Sequence, residues 1–337
     1  MSGDVVPEVS PEVSVVISCR NRSALLLDCM RGLARQTIGL ARFEVVLVDN
    51  QSTEDLSVVV AEARAMGLDI RMLRTTEDRG PAPARNLGVA QARGAIIAFT
   101  DSDCRPTPGW LAALLPGFDD PDVAFVGGPV LAKPGQAARL TSRMTFVTPT
   151  EHPTFPTANL AMRRALFLAH GGFDASLSFH DPFGRATECA DTDLAWRLLE
   201  AGHGRGFEPT AVVEHEVEHQ SLGMWLIEPT RLFVLPELVR RHPQLRGKLL
   251  SFGCLFYAPS KLLYLAVPLL AWIGWTMPAL LAALPVALLA RGVQRTGGVH
   301  PRRLAMHVGR VLANVPRLAV LNATLIYGSI RFRSLVL

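Results

Sequence analysis

The sequence predicts an α/β fold, a doubly wound and mostly parallel sheet, followed by C-terminal membrane helices. Three observations predict it. β-rich and helix-spaced segments alternate over residues 13–73 in the order strand, helix, strand, helix, strand. Ala95-Ile96-Ile97-Ala98-Phe99 lacks helical spacing and runs into Thr100-Asp101-Ser102-Asp103, the pattern of a central parallel strand that ends at a ligand site. From Leu249 to Ala290 the chain carries a single charge, Lys261. The uncharged run Leu262–Ala290 exceeds the ~20 residues a helix needs to span a bilayer.

Val13-Ser14-Val15-Val16-Ile17-Ser18-Cys19 is the first strand. Ser23 reads as the N-cap of a helix reaching Arg35, with Leu26, Leu27, Met30 and Leu33 at helical spacing. Phe43–Val48 is the second strand and ends in Asp49-Asn50-Gln51-Ser52. A helix from Glu54 to Met66 and a strand over Ile70–Leu73 follow. Glu77–Asn86 is a loop marked by Gly80, Pro81 and Pro83 that enters a helix. Helical sequence runs from Pro108 to Leu115, Val123–Val126 is a strand, and Leu131–Pro153 is an irregular excursion over the sheet. Thr157–Arg164 is a strand turning into a helix, and Gly171-Gly172-Phe173-Asp174 is a turn. Asp191 sits where the next helix begins, with Leu194, Leu198 and Leu199 on its buried face. Val212-Val213-Glu214-His215 is a strand ending on an imidazole.

The first strand–helix turn, Cys19-Arg20-Asn21-Arg22, contains no glycine, which argues against a GxGxxG dinucleotide site. No GxxxxGK[ST] follows a strand either. On a continued strand, Asp101 and Asp103 leave on one face and form a site for a hard divalent cation; the plainer reading is an acidic turn. Asp49 can accept hydrogen bonds from a base or a ribose, or simply close its turn. Asp191 and Asp193 also suit a helix N-terminus for its dipole alone, and a lone His215 is more often structural than a ligand. The cysteines, Cys19, Cys29, Cys104, Cys189 and Cys254, are odd in number and lack a CxxC pair. They argue against a disulfide framework or a zinc site and fit a reducing compartment.

Hydrophobic residues make up 49% and charged residues 19%, with a mean hydropathy of +0.24. That is too apolar for an ordinary soluble enzyme, and the excess lies late in the chain. The formal charge is +4, with the basic residues concentrated late, so a membrane surface is expected rather than nucleic acid. Trp225–Arg241 reads as one amphipathic helix whose Arg231, Arg240 and Arg241 meet headgroups. Arg291, Arg295, Arg302, Arg303, Arg310 and Arg317 follow the apolar run. By the positive-inside rule they lie in the cytoplasm, so the spans form an even number or a re-entrant hairpin around Trp272–Pro278, which is favoured. Leu318–Ile330 is too short to span alone. Residues 1–12 are polar and acidic, and no cleaved signal peptide is expected. The chain divides into a tail of residues 1–12, a catalytic domain of 13–221, an amphipathic segment of 222–248 and membrane-associated helices of 249–337.

Seven signals in order resemble the family 2 glycosyltransferases, over roughly residues 12–220. They are the first strand with Arg20-Asn21-Arg22, the Val48–Ser52 corner, Pro83-Ala84-Arg85-Asn86-Leu87-Gly88, Phe99–Asp103, Ala158–Arg163, Gly171–Asp174, and Asp191-Thr192-Asp193-Leu194 with Arg197. The resemblance implies a GT-A fold, a Rossmann-like and mostly parallel mixed sheet. It implies a nucleotide-sugar donor, UDP-, GDP- or dTDP-linked, on Ser18, Arg20, Asp49, Arg85, Asn86 and Asp101. Asp101 and Asp103 match the family's DxD, which holds Mg²⁺ or Mn²⁺ on the diphosphate; His215 matches a histidine that joins the metal in some relatives. Asp191 falls on the general base, although Ala190 stands where the family has Glu and Glu188 lies nearby. Asn159 and Asp193 fall on the acceptor side. One base on the acceptor side gives a single displacement with inversion. The whole is expected to be a membrane enzyme with its catalytic domain facing the cytoplasm, acting on a glycan or lipid-linked acceptor. A sugar nucleotidyltransferase and a silent nucleotide-binding membrane scaffold are the competing readings. The first would carry a glycine- and base-rich first loop; the second is permitted by Ala190 and opposed by the intact Asp101, Asp103 and Asp191.

Overall fold

The computed structural model describes residues 10–144, 146–256, 290–291 and 301–337, with the side chains of 301–313 excepted. It divides into two compact units, Met1–His219 and Gln220–Leu337.

The first unit opens with β1 (Val13–Cys19), α1 (Ser23–Leu33), β2 (Phe43–Asp49), α2 (Ser57–Ala65), β3 (Ile70–Arg74), α3 (Pro81–Gln91) and β4 (Ile96–Phe99). It continues through β5 (Cys104–Pro106), α4 (Trp110–Leu114), β6 (Val123–Gly127), β7 (Val130–Ala132), β8 (Leu160–Arg163) and α5 (Arg164–Ala169). A hairpin of β9 (Ser178–His180) and β10 (Ala186–Glu188) leads into α6 (Ala190–Glu200), β11 (Gly204–Phe207) and β12 (Val213–His215). The main sheet has seven strands in the order β11-β6-β8-β4-β1-β2-β3. Strands β3, β2, β1 and β4 are parallel, and β8 runs antiparallel between β4 and β6. A second sheet, β5-β12-β7, carries His215. Of this second sheet the sequence pattern shows only β12, read as Val212–His215, and it does not show the β9–β10 hairpin; strands of three residues are too short to display a period.

Alternation along β1 and β2 covers both faces of the sheet. Val13, Val15, Ile17, Val45 and Leu47 share one buried cluster with Leu26, Cys29, Met30 and Leu33 of α1 and with Val59, Val60 and Ala63 of α2. Val16 and Val48 point to the other face, where α3 lies so close that a Cβ on Gly88 would sit 2.6 Å from Val16 Cγ1. The first residue of α1 is not capped by Ser23 itself. Arg22 holds the N-cap position at φ 64°. The Glu54 carboxylate accepts from the backbone N–H of Arg22 (3.1 Å) and of Ser23 (2.8 Å), placing negative charge at the positive helix end.

At the N-terminal edge of the strands the fully buried Glu44 gathers four donors. Ser14 Oγ and Arg93 N reach Oε1 at 2.6 and 2.7 Å, and Arg71 Nη2 and Arg93 Nε reach Oε2 at 2.9 and 3.0 Å. Burial pushes the Glu44 carboxyl up, but the Ser14 hydroxyl, the Arg93 amide and Arg71 outweigh it, so its pKa lies below the ordinary glutamate value. A depressed carboxyl stabilises the fold above its unfolded pKa, and that contribution is lost as pH falls through the folded value. Glu44→Ala is therefore expected to lower stability by about 3 kcal/mol at pH 7. The deficit shrinks towards acid pH, as thermal unfolding across a pH series will measure.

In the second unit the expected single helix over Trp225–Arg241 is broken. It consists of α7 (Leu222–Ile227), a 3₁₀ turn over Glu228–Val234 and α8 (Leu235–Arg241). Pro229 and Pro236 each remove an N–H, which interrupts the α-helical ladder. Two later helices are α9 (Leu245–Leu249) and α10 (Pro301–Phe332). The apolar residues of this segment, Trp225, Phe233, Leu235, Leu238 and Val239 among them, are buried within the unit. Trp225 lies under the Arg317 guanidinium at 4.7 Å, and Phe233 packs against Tyr327 and Phe332 at 6.2 and 6.1 Å. Arg240 and Arg241 bind Glu237. The run Leu318–Ile330 is part of α10. The expected span over Leu262–Ala290 and its hairpin lie outside the described residues, apart from Ala290 itself. Among the described residues no helix is long and apolar enough to cross a membrane.

Candidate active site

Strand β4 sits in the middle of the main sheet, between β1 and β8. It ends at Phe99, so Asp101 and Asp103 do not leave one face of a strand. They belong to a tight turn, closed by Cys104 N donating to Asp101 O at 3.0 Å. The turn nevertheless brings them together. One ligand atom from each of Asp101, Asp103, Cys104 and His215 lies within 4.8 Å of the others. His215 arrives by register: antiparallel β12 sets it opposite Cys104, and Glu216 N donates to Asp103 O at 3.0 Å.

The imidazole is oriented for a ligand role. Its Nδ1 lies 2.8 Å from the Glu216 carbonyl. A carbonyl only accepts, so Nδ1 carries a hydrogen, and Nε2 is the ring nitrogen turned towards Asp103 Oδ1, 3.4 Å away. Phe146 stacks on the ring at 4.0 Å and 12°. Lys133, almost fully buried, bridges Asp28 Oδ2 (2.8 Å) and Glu216 Oε2 (3.0 Å), tying the end of β12 to α1. Cys104 is a bystander. Burial, with Asp101 and Asp103 beside it, pushes its thiol well above the ordinary value, and a protonated sulfur is a poor ligand for a hard cation.

Arg85, the one buried arginine among the described residues, joins this turn to the other carboxylates. Its Nη2 binds Asp101 Oδ1 at 2.7 Å and its Nη1 binds Glu188 Oε1 at 2.8 Å. Glu188 Oε2 also accepts from Ala82 N at 3.2 Å. Asp191, second residue of α6, accepts from Thr192 N (2.8 Å) and Thr157 N (3.3 Å). Burial raises the Asp191 carboxyl above the ordinary aspartate value, against the pull of the two amides and Arg85, and Asp101 pushes the same way as burial. Burial raises Glu188 as well, with Arg85 opposing and Asp191 assisting. Four carboxylates, Asp101, Asp103, Glu188 and Asp191, thus face two guanidiniums, Arg85 and Arg22, the latter 2.5 Å from Asp103 Oδ2.

A second corner lies at the ends of β1 and β2. Ser18 is half-buried at the end of β1. Arg20 is exposed and pairs with Asp78 at 2.5 Å, and Asp78 also accepts from Asn50 Nδ2 at 2.7 Å. Asp49 is buried: Oδ1 accepts from Ser52 N at 2.8 Å and Oδ2 lies 3.3 Å from Arg74 Nη1.

Three of the expected site residues have their polar atoms held by the fold. Asn159 is 1% exposed; its Nδ2 donates to the carbonyls of Pro129 and Ala211, and its Oδ1 accepts from Trp110 Nε1. It ties two loops to α4 and has no face towards an acceptor. Asp193 is also 1% exposed and binds Arg197, which reaches the carbonyls of His170 and Gly172. Asn86 donates to Phe173 O and accepts from Phe173 N, at 2.8 and 2.9 Å, pinning the turn in which Gly172 adopts φ 65°. Sequence reasoning missed Glu54, Asp78, Lys133 and Phe146, and gave Arg22 and Glu188 no role. Their partners lie far along the chain, and the one available signal was Glu188 standing three residues before Asp191.

A mostly parallel α/β sheet with an acidic turn at the C-terminal end of its central strand defines a GT-A-like domain. Residues 14–175, just under half of the chain, match the family described as "Glycosyl transferase family 2". The chain is similar to the "Pre-mycofactocin glycosyltransferase" of Mycobacterium tuberculosis H37Rv, 32% identical over 218 residues, which cover 61% of this chain and 43% of that one. The chain thus spans less than half the length of that relative. Among solved structures, "Mannosyltransferase PcManGT from Pyrobaculum calidifontis in complex with GDP-Man and Mn2+" shares the fold with a TM-score of 0.59 at 22% identity, covering 96% of this chain and 87% of that one. The structure of S. aureus TarS 1–349 in complex with UDP has a TM-score of 0.50 at 17% identity, covering 95% and 91%.

Proposed function

We propose that this protein is a metal-dependent, inverting glycosyltransferase that moves a sugar from a nucleotide diphosphate donor to an acceptor hydroxyl near a membrane. The observation that carries the reading is the convergence of Asp101, Asp103 and His215 Nε2 beside the Arg85–Asp191 cluster. The donor set fits a divalent cation: two carboxylates and a neutral imidazole suit Mn²⁺, and Mg²⁺ through the oxygens. The charge count agrees, since four carboxylates against two guanidiniums leave an excess of two negative charges. Asp101, Asp103 and His215 would hold the ion, which neutralises charge on the departing diphosphate.

The chain's own residues do the rest. Arg22, already at the acidic turn, is placed to meet a phosphate oxygen. The corner of Arg20, Asp49, Arg74 and Asp78 takes the nucleoside, as a UDP-, GDP- or dTDP-linked donor. Asp191 takes the acceptor proton as its oxygen attacks the anomeric carbon, and its raised pKa matches a base that must hold that proton. Arg85 keeps Asp101 and Glu188 apart in charge and lies close enough to limit how far Asp191 rises. The membrane siting rests on the apolar run of 249–290 and is the same for a glycan or a lipid-linked acceptor.

The test is a panel of UDP-, GDP- and dTDP-sugars with Mn²⁺. A cation-dependent rise in melting temperature with one donor, followed by an inverted product, is expected. Cation-dependent binding without turnover of any donor would instead make the protein a nucleotide-binding scaffold. Lys133→Met should weaken Mn²⁺ binding by about tenfold or more, the usual effect of losing a group that orients a metal ligand, read by paramagnetic resonance titration. Lys133→Arg should restore most of it.

A further inference from the structure

The two units carry opposite charge. Residues 220–337 hold 14 of the chain's 34 lysines and arginines but 2 of its 30 acidic residues, a formal +12 against −8 for residues 1–219. The two acids, Glu228 and Glu237, are both paired, with Arg317 and with Arg240 and Arg241. No aspartate or glutamate occurs after Glu237.

This basic unit displays an apolar stripe. Pro316, Ala319, Ala323, Ile326 and Ile330 recur on α10 at alternating intervals of three and four and are all exposed. That spacing keeps them on one face, and Ile330 is 75% exposed. The opposite face holds Leu321 and Leu325, which are buried. At the end of α10, Arg333 at φ 52° reverses the chain, and Ser334 N donates to Ser329 O. Leu337 N then donates to Cys254 O, joining this segment to a turn that presents Phe252, 81% exposed. Leu335 and Phe252 therefore form an apolar tip beside the exposed Arg331 and Arg333.

We infer that the α10 stripe and this tip dock onto an anionic lipid surface, with Arg331 and Arg333 on the headgroups. The stripe lies flat, about 21 Å long at 1.5 Å per residue. Its apolar side enters the headgroup boundary as interfacial helices do. A second copy would bring another unit of +12 against the first, which opposes self-association through this face. A nucleic acid would match the charge but not the isoleucines. An anionic bilayer matches both. The inference deepens the membrane-proximal reading above and rests on it.

The test uses the full chain with Cys254→Ser and Ile330→Cys, labelled with nitrobenzoxadiazole; Cys19, Cys29, Cys104 and Cys189 are buried. On phosphatidylcholine vesicles with about one third phosphatidylglycerol, the dye should shift to the blue and brighten. The response should be weaker on neutral vesicles and should fall with salt. Arg331→Glu with Arg333→Glu should weaken the dye response more than tenfold, since each basic residue near such a surface contributes several-fold. A dye that stays aqueous on anionic vesicles, or responds equally to neutral ones, overturns the inference. So does a shift produced by protein concentration alone, which marks a second copy, or by duplex DNA. Transfer to a water-soluble acceptor is measured on the same samples. Intact transfer with an aqueous dye discards the docking surface alone, whereas unlabelled native protein without transfer discards the enzymatic reading.

Discussion

Asp101→Asn is expected to reduce glycosyl transfer by about a thousandfold or more, because it removes a cation ligand and the partner of Arg85 together. Two carboxylates whose oxygens lie within 4.8 Å repel by roughly 3.5 kcal/mol or more at an effective dielectric near 20, so the acidic turn is poised to take up positive charge. With asparagine at 101 that drive is halved and the buried Arg85 loses one of its two carboxylate partners. Mn²⁺ affinity, read by paramagnetic resonance, and transfer should fall together. Cys104→Ser provides the contrast: it should leave Mn²⁺ affinity within a few-fold, because the protonated thiol contributes no charge. Equal Mn²⁺ affinity in Asp101→Asn and the native protein would remove the metal site from this turn.

Asp191→Asn should lose transfer by about 10³-fold, within the range for a positioned base, while donor and Mn²⁺ still bind. It should also melt higher. Burial raises the Asp191 carboxyl in the folded state. A raised acid binds its proton more tightly folded than unfolded, so stability falls as pH rises from the unfolded pKa through the folded one, and the deficit persists at neutral pH. Asparagine removes that deficit and its Oδ1 can still accept from Thr192 N. The stability gain should vanish below about pH 4, near the unfolded aspartate value. In the native enzyme kcat/KM should rise with pH along a limb set above the ordinary aspartate pKa. Loss of donor binding together with transfer would make Asp191 structural.

The main sheet was legible in sequence because β1, β2 and β4 are buried apolar runs with polar ends. The acidic turn and Asp191 were legible for the same reason, each sitting at the abrupt end or start of a periodic segment. What was hidden depends on partners distant in the chain. Asn159 and Asp193 look like site residues by type and place, yet the first is held by Trp110, Pro129 and Ala211 and the second by Arg197. No local pattern distinguishes a polar group satisfied by the fold from one awaiting a ligand. The break of Trp225–Arg241 was visible in Pro229 and Pro236, but the apolar spacing outweighed it in the reading. Its burial against α10 was not visible, since that helix lies 60 residues and more further on.

Gly88 shapes the candidate site by the atoms it lacks. It lies one turn after Arg85 on α3, against Val16 and Val48 of the central strands. Any side chain there must lever the helix off the sheet, and the guanidinium would swing away from Asp101 with it. The helix-to-sheet gap is therefore a dimension of the candidate site, and a methyl group added on the buried side of α3 would act as a misalignment of its charges rather than as a packing fault.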